Sequence, residues 1–145
     1  MSEKYLLIVS CSKRKKNLNG EVEAAQLYDG PVYRMLRNRK PENVDVLILS
    51  AKYGLIGSSS LISYYDQLMT PERARGLVKE VAEKLSGVFS KNNYKEVFIN
   101  LGKTYLLALD DSMSVLANEN ICWGKGPIGK RLSQLKNWLI SCSNP

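Results

Sequence analysis

Tyr5–Ser10 (YLLIVS) is a run of apolar and β-forming residues ending on a small polar one, and Val44–Ser50 (VDVLILS) repeats the pattern. Neither run alternates apolar with polar residues along its length. Each therefore reads as a strand buried on both faces. Strands of that kind belong to parallel sheets covered by helices on both sides. Glu96–Leu101 (EVFINL) supplies a third strand, and either Val115–Ala117 or Asn120–Trp123 a fourth.

The segments between these strands read as loops and helices. Cys11–Glu23 is polar and basic and contains Asn19-Gly20, the mark of a long loop. Asp29-Gly30-Pro31 offers a cap, a turn residue and a helix-opening proline. A short helix is predicted from there to about Asn38, with Val32, Met35 and Leu36 turned inward. Ala51–Gln67, rich in Gly, Ser and Tyr, is long for a connection, and such connections are often functional. Thr70-Pro71-Glu72 is a strong helix start. Ala74, Leu77, Val78, Val81, Leu85 and Val88 then keep helical spacing, which predicts a helix over about 71–91. A short helix Thr104–Leu109 follows Gly102-Lys103. Ile128, Leu132, Leu135, Trp138 and Leu139 mark a closing amphipathic helix after the loop Gly124–Gly129 (GKGPIG). The order predicts a single α/β domain over residues 1–145. It has three layers, with a mostly parallel sheet of about four strands flanked by helices.

Composition narrows the chemistry. The 145 residues suit one domain with a real core. No span approaches the roughly 20 apolar residues of a membrane helix, and the start lacks the shape of a signal peptide. Cys11, Cys122 and Cys142 form no CxxC pair, which argues against a disulfide framework and a thiolate zinc site. The chain has no histidine, which removes Ser-His-Asp and Cys-His triads, HExxH metal sites and imidazole bases. A cytoplasmic, reduced monomer with no metal, no cofactor and no membrane partner is the simplest expectation. The net charge is +7, with residues 1–40 at +5, 41–119 at −2 and 120–145 at +4. The positive ends, and above all Lys13-Arg14-Lys15-Lys16, read either as a face for polyphosphate or as scattered solvated charge.

Ligands of such sheets bind outside the carboxyl ends of the strands. The unusual segments of this chain begin at those ends: Ser10-Cys11-Ser12-Lys13, Ser50-Ala51-Lys52-Tyr53-Gly54, Asn100-Leu101-Gly102-Lys103 and Gly124-Lys125-Gly126. Small residues there let backbone N–H groups approach ligand oxygens. Ser10, Cys11, Ser12, Tyr53 and Gly102 are thus candidate substrate contacts. Lys13, Arg14, Lys52, Lys103, Lys125, Lys130 and Arg131 are candidate phosphate or nucleic-acid contacts. Gly124–Lys130 is not a Walker A loop, because Arg131 stands where Ser or Thr is required. It suits a backbone–phosphate contact before a helix, or an ordinary turn. Tyr65 either stacks on a base or plugs the core. Asp66, the only carboxylate between Asp45 and Glu72, suits positioning water or stabilising a cation, or pairing with Lys52 or Lys103. Asn100 ends a buried strand and needs partners, so it either reads a base edge or holds a loop. Cys11 is either a thiol activated by nearby lysines or a small strand-end residue.

The motifs Leu27–Leu36 (LYDGPVYRML), Ile48–Ile56 (ILSAKYGLI) and Ile62–Asp66 (ISYYD) resemble those of a family of small prokaryotic proteins. That family has a C-S-K-x-K start, here Cys11–Lys15, an L-S-A-K-Y-G-L core and a P-Y-D segment in which this chain has Tyr64 for proline. The order is similar, more distantly, to the peroxide-stress YaaA family through Gly30–Tyr33, Leu49–Ile56, Tyr64-Tyr65 and Ile99–Lys103. The resemblance spans about residues 9–132. In architecture the chain also resembles uracil-DNA glycosylase-like domains, with a related domain in archaeosine-forming tRNA enzymes. The glycosylase signatures G-x-D-P-Y and H-P-S-P are absent.

The glycosylase likeness implies a hydrolase that cleaves the N-glycosidic bond of a flipped base, damaged or modified, including modified bases of phage DNA. Under it Asp66 and Asn100 are catalytic: Asp66 stabilises the sugar cation and positions water, while Asn100 and N–H groups around Ser10–Ser12 hold the leaving base. Tyr65 stacks on the base, and the rim lysines hold phosphates. DNA is the expected partner, with RNA open. The YaaA likeness implies instead a non-catalytic DNA-binding protein of oxidative or DNA-damage stress. An enzyme acting on a nucleoside or nucleotide is the third expectation.

Overall fold

Leu6, Leu7 and Ile8 are wholly buried in the computed structural model, which describes residues 3–143. They lie on β1 (Lys4–Ser10). After it come β2 (Val22–Glu23), α1 (Ala24–Leu27), α2 (Pro31–Arg39), β3 (Val44–Ser50), β4 (Gly54–Gly57) and β5 (Leu61–Ile62). The second half holds α3 (Pro71–Gly76), α4 (Val78–Lys91), β6 (Tyr94–Asn100) and α5 (Lys103–Leu106). It continues through a 3₁₀ turn (Leu107–Ser112), α6 (Met113–Leu116), β7 (Ile121–Trp123) and α7 (Ile128–Ser143).

The main sheet runs β4-β3-β1-β6-β7. Side chains alternate across β1, so Tyr5, Leu7 and Val9 face one layer and Leu6 and Ile8 the other. The first face is covered from α1, α2 and α7 by Leu27, Tyr33, Leu135, Trp138 and Leu139. The second is covered from α3, α4 and the 3₁₀ turn by Ala74, Leu77, Val81, Leu85, Ala108 and Leu109. Two covered faces are what the uninterrupted apolar runs require. In α2 the fully buried residue is Tyr33, with Val32, Met35 and Leu36 half-buried on the same core.

The sheet differs from the expectation in strand number and direction. β3, β1, β6 and β7 are parallel, but β4 turns back antiparallel along β3, giving five strands in a mixed sheet. The four residues GLIG of β4 are too short to show a period. Its turn is set by local hydrogen bonds: Ser50 Oγ accepts from the N–H of Lys52 (3.2 Å) and of Tyr53 (3.0 Å). Gly54 then takes φ +75°, a conformation that costs a residue with a Cβ about 1–2 kcal/mol. The expected loop 11–23 ends in β2, which pairs with β5 in a separate two-stranded ribbon. The fourth parallel strand is Ile121–Trp123, while Met113–Leu116 is helical.

The helix expected over 71–91 is two helices. Thr70 Oγ1 caps the first by accepting from Arg73 N (3.1 Å). Gly76 weakens it, and Leu77 (φ −95°, ψ −7°) closes it with its N–H on Ala74 O and Arg75 O. Arg73 ties α3 to the β3–β4 turn, donating to Ala51 O (2.7 Å) and Lys52 O (3.0 Å). Among the described residues no helix is long and apolar enough to cross a membrane.

Two glycines make opposite predictions. A Cβ at Gly54 would stand 2.6 Å from Glu80 Oε2, in addition to the backbone strain. Gly54→Ala is expected to lower stability by about 1–2 kcal/mol or more in urea denaturation. Gly87, inside α4, has open space around it. Gly87→Ala is expected to raise stability by about 0.5–1 kcal/mol. An unchanged midpoint for Gly54→Ala would contradict the turn as described.

Candidate anion-binding site at the carboxyl rim of the sheet

From β1 the chain crosses to β3 on one side and later to β6 on the other. The strand order therefore reverses between β1 and β6, and the crevice above such a point is where ligands bind in open α/β sheets. The residues at that edge are Ser10 and Asn100. A hollow of about 170 Å³ lies there, walled by Ser10, Ser12, the Gly30–Tyr33 stretch, Asn100, Ile128 and Arg131. A second hollow, of about 470 Å³, is walled by Leu101, Gly102, Lys103, Leu106, Gly124, Gly126, Pro127 and Arg131. Arg131 lines both. The larger falls within the range of about 300–1,000 Å³ usual for small-molecule sites, and the smaller suits one chemical group. No carboxylate lines either.

Arg131 stands in the first turn of α7. Its Nε donates to Gly126 O (3.1 Å) and its Nη1 to Asn100 Oδ1 (2.8 Å). A guanidinium has no acceptor, so the amide oxygen of Asn100 must face it and the amide NH2 must face away. Asn100 is 4% exposed. Gly124 permits this contact: a Cβ there would lie 3.3 Å from Asn100 Oδ1 and from Ile99 O. Arg131 forms no ion pair among the described residues. Tyr33, fully buried under the smaller hollow, donates its hydroxyl proton to Ser10 O (2.6 Å).

The β3 end of the rim is closed. Ser50 Oγ already accepts two N–H groups, so its own proton goes to Tyr65 OH (2.9 Å), and Tyr65 donates to Tyr28 OH (2.6 Å). The Tyr65 ring packs edge-on against Tyr28 and Tyr53. Lys15 Nζ lies 4.5 Å from its centroid. Tyr65 is thus a core residue, correcting the expectation that it stacks on a base. Cys11 is corrected likewise: it is buried in the face packed by Leu7 and Val9, with Sγ 3.2 Å from Tyr105 OH. Tyr53 is half-buried and shares its hydroxyl with Ser63.

Of the remaining candidates, Ser10, Ser12 and Asn100 meet at the smaller hollow, and Gly102, Lys103 and Arg131 at the larger. Lys13, Arg14, Lys52, Lys125 and Lys130 are exposed and line neither hollow. Asp66 is exposed, lines neither hollow and pairs with neither Lys52 nor Lys103. Among the described residues no group of three or more Cys, Asp or Glu gathers as a metal site. Sequence reasoning missed the Gly30-Pro31-Val32 wall. That G-P pair signalled a helix start, and only the packing of α2 beside β1 turns it toward the crevice.

Burial pushes the hydroxyl of Tyr28 up to about 12 and those of Tyr33, Tyr65, Tyr94 and Tyr105 above the ordinary phenol value. Each binds its proton more tightly folded than unfolded. Their contribution to stability is full below about pH 10, where unfolded phenols ionise, and is lost as pH rises through the folded values. Urea midpoints are expected to fall steadily above about pH 10. In a spectrophotometric titration, these five should ionise at higher pH than free phenols while the fold persists. Full ionisation of all 8 tyrosines near pH 11 with native circular dichroism would refute this packing.

The crystal structure of AF0587, described as a protein of unknown function, matches this fold with a TM-score of 0.56 at 14% sequence identity. The match covers 94% of this chain and 44% of that one, so the chain spans less than half the length of that protein. Likeness at this identity bears on the fold alone. No curated protein matches the chain. The model of the family of unknown function DUF6884 matches residues 6–137, and the chain belongs to that family.

Proposed function

We propose that this protein binds nucleic acid through the carboxyl rim of its sheet. The observation that carries the reading is the set of exposed cations on the segments that follow the carboxyl ends of the strands. Near the amino ends, Lys4 pairs with Asp45 (3.3 Å) and Lys95 with Glu3 (2.7 Å). Beyond the carboxyl ends, Lys13, Arg14, Lys52, Lys103, Lys125 and Lys130 are exposed, and none pairs with a carboxylate among the described residues. A polyphosphate binding exposed cations of this kind gains their attraction and releases its own counterions. The net charge of +7 favours the same partner.

Base excision is a second reading, supported by the buried amide of Asn100 in the crevice and by the likeness to uracil-DNA glycosylase-like domains. A carboxylate beside the sugar stabilises the cation that develops there and positions water. No carboxylate lines either hollow, and Asp66 sits in an exposed segment outside both. Binding without turnover is therefore the favoured function.

Affinity for single-stranded and duplex DNA and RNA, followed by calorimetry between about 50 and 200 mM salt, is expected to fall linearly on logarithmic axes. Lys103→Gln and Lys125→Gln should each lower the slope by about one. Affinity independent of salt rejects the reading. DNA carrying varied modified bases is expected to show no alkali-labile sites after incubation. Their appearance, and their loss in Asp66→Asn, would replace binding by hydrolysis.

A further inference from the structure

The smaller hollow at the switch point is lined by Asn100, Arg131, Ser10, Ser12 and the first turn of α2, and holds no carboxylate. We propose that it takes the terminal phosphate monoester of a nucleotide, with the attached nucleoside in the adjoining larger hollow. The inference rests on the rim reading above and specifies which part of the nucleic acid enters the crevice.

Asn100 carries the argument furthest. Its oxygen is held by Arg131, so its NH2 points the other way and donates to no group among the described residues. Asn100 is 4% exposed and lines the hollow. That donor meets only solvent in the hollow, so an anion entering there takes the place of water at a position already fixed by Arg131. Arg131 adds a guanidinium whose remaining N–H groups meet no carboxylate. The third donor is α2, a helix of 9 residues whose first turn lines the same hollow. Pro31 has no N–H, and the N–H of Val32 finds no acceptor among the described residues. The positive end of the helix dipole favours an anion there.

These donors come from three elements, β6, α7 and α2, and so approach from different directions. A phosphate monoester offers three free oxygens and a charge of about −1.5 to −2. A diester inside a strand offers only two, and its chain must leave on both sides. The volume of about 170 Å³ suits one such group. Leu101, Leu106 and Pro127 give the larger hollow apolar surface for a base, and Arg131 joins the two.

The ligand comes either from a free nucleotide or from the phosphorylated end of a strand. Calorimetry compares one twelve-nucleotide strand bearing phosphate at both ends with the same strand bearing hydroxyls, using adenosine 5′-monophosphate as competitor. The phosphorylated strand is expected to bind about tenfold tighter or more, the worth of one charge-assisted hydrogen bond. Asn100→Asp keeps an oxygen on Arg131, preserving the fold, and turns the donor into a carboxylate facing the phosphate. That variant, and Arg131→Gln, should abolish the preference. Equal, salt-dependent binding of both strands overturns the monoester site while leaving the rim reading intact. Absence of binding to either strand overturns both. Displacement by the monophosphate assigns the ligand to free nucleotides; a preference that resists it and is lost in Asn100→Asp assigns it to strand ends. Both of these outcomes sustain the site.

Discussion

β1 is hydrogen-bonded to β3 along one edge and to β6 along the other, and its side chains are buried on both faces. Each of Leu6, Leu7 and Ile8 contributes about 1.5–3 kcal/mol by leaving water. Together they approach the net stability of about 5–15 kcal/mol typical of a domain. A strand held on all sides in this way has only its ends for polar groups. Its neighbours β3 and β6 obey the same constraint, which delivers Ser10, Ser50 and Asn100 to one edge. The helices that cover the two faces must connect strands lying on opposite sides of β1. The crevice between Ser10 and Asn100 is the geometric consequence.

The rim built on that edge has two halves of opposite character. Around Ser50, the proton chain through Tyr65 to Tyr28 and the packed rings of Tyr53 and Tyr65 leave no room for a ligand. Burial raises the hydroxyls of Tyr28 and Tyr65 above the ordinary phenol value, and this half is a packed wall. Around Asn100, Gly124 stands close against the amide oxygen and Arg131 donates to it. Arg131 organises this second half by fixing the orientation of the amide beside it. One side chain of α7 thus decides which face of Asn100 the crevice presents.

The apolar runs Tyr5–Ser10 and Val44–Ser50 were legible as doubly buried strands because local composition alone distinguishes them from half-wet ones. The placement of Ser10, Asn100 and Gly102 at one rim followed from that, since parallel strands put their carboxyl ends on the same edge. The β4 return and the break at Leu77 were not legible. GLIG is too short to carry a period, and the apolar spacing of 71–91 continues unchanged through the break. The choice between the two readings of Tyr65, and between those of Cys11, was not legible for a related reason: in a loop or at a strand end, sequence carries no period from which to read the direction of a side chain.

The sequence by itself determined the layered α/β architecture, the excess of positive charge and the exclusion of imidazole chemistry, because these depend on composition and on periodicity within one segment. Only the tertiary structure decided that Tyr65 closes the core, that Asp66 stands outside the hollows, and that Gly30–Val32 and Arg131 converge on Asn100. Those facts depend on how α2 and α7 dock against the sheet. Docking is the sum of contacts between residues far apart in the chain, and no local pattern encodes it.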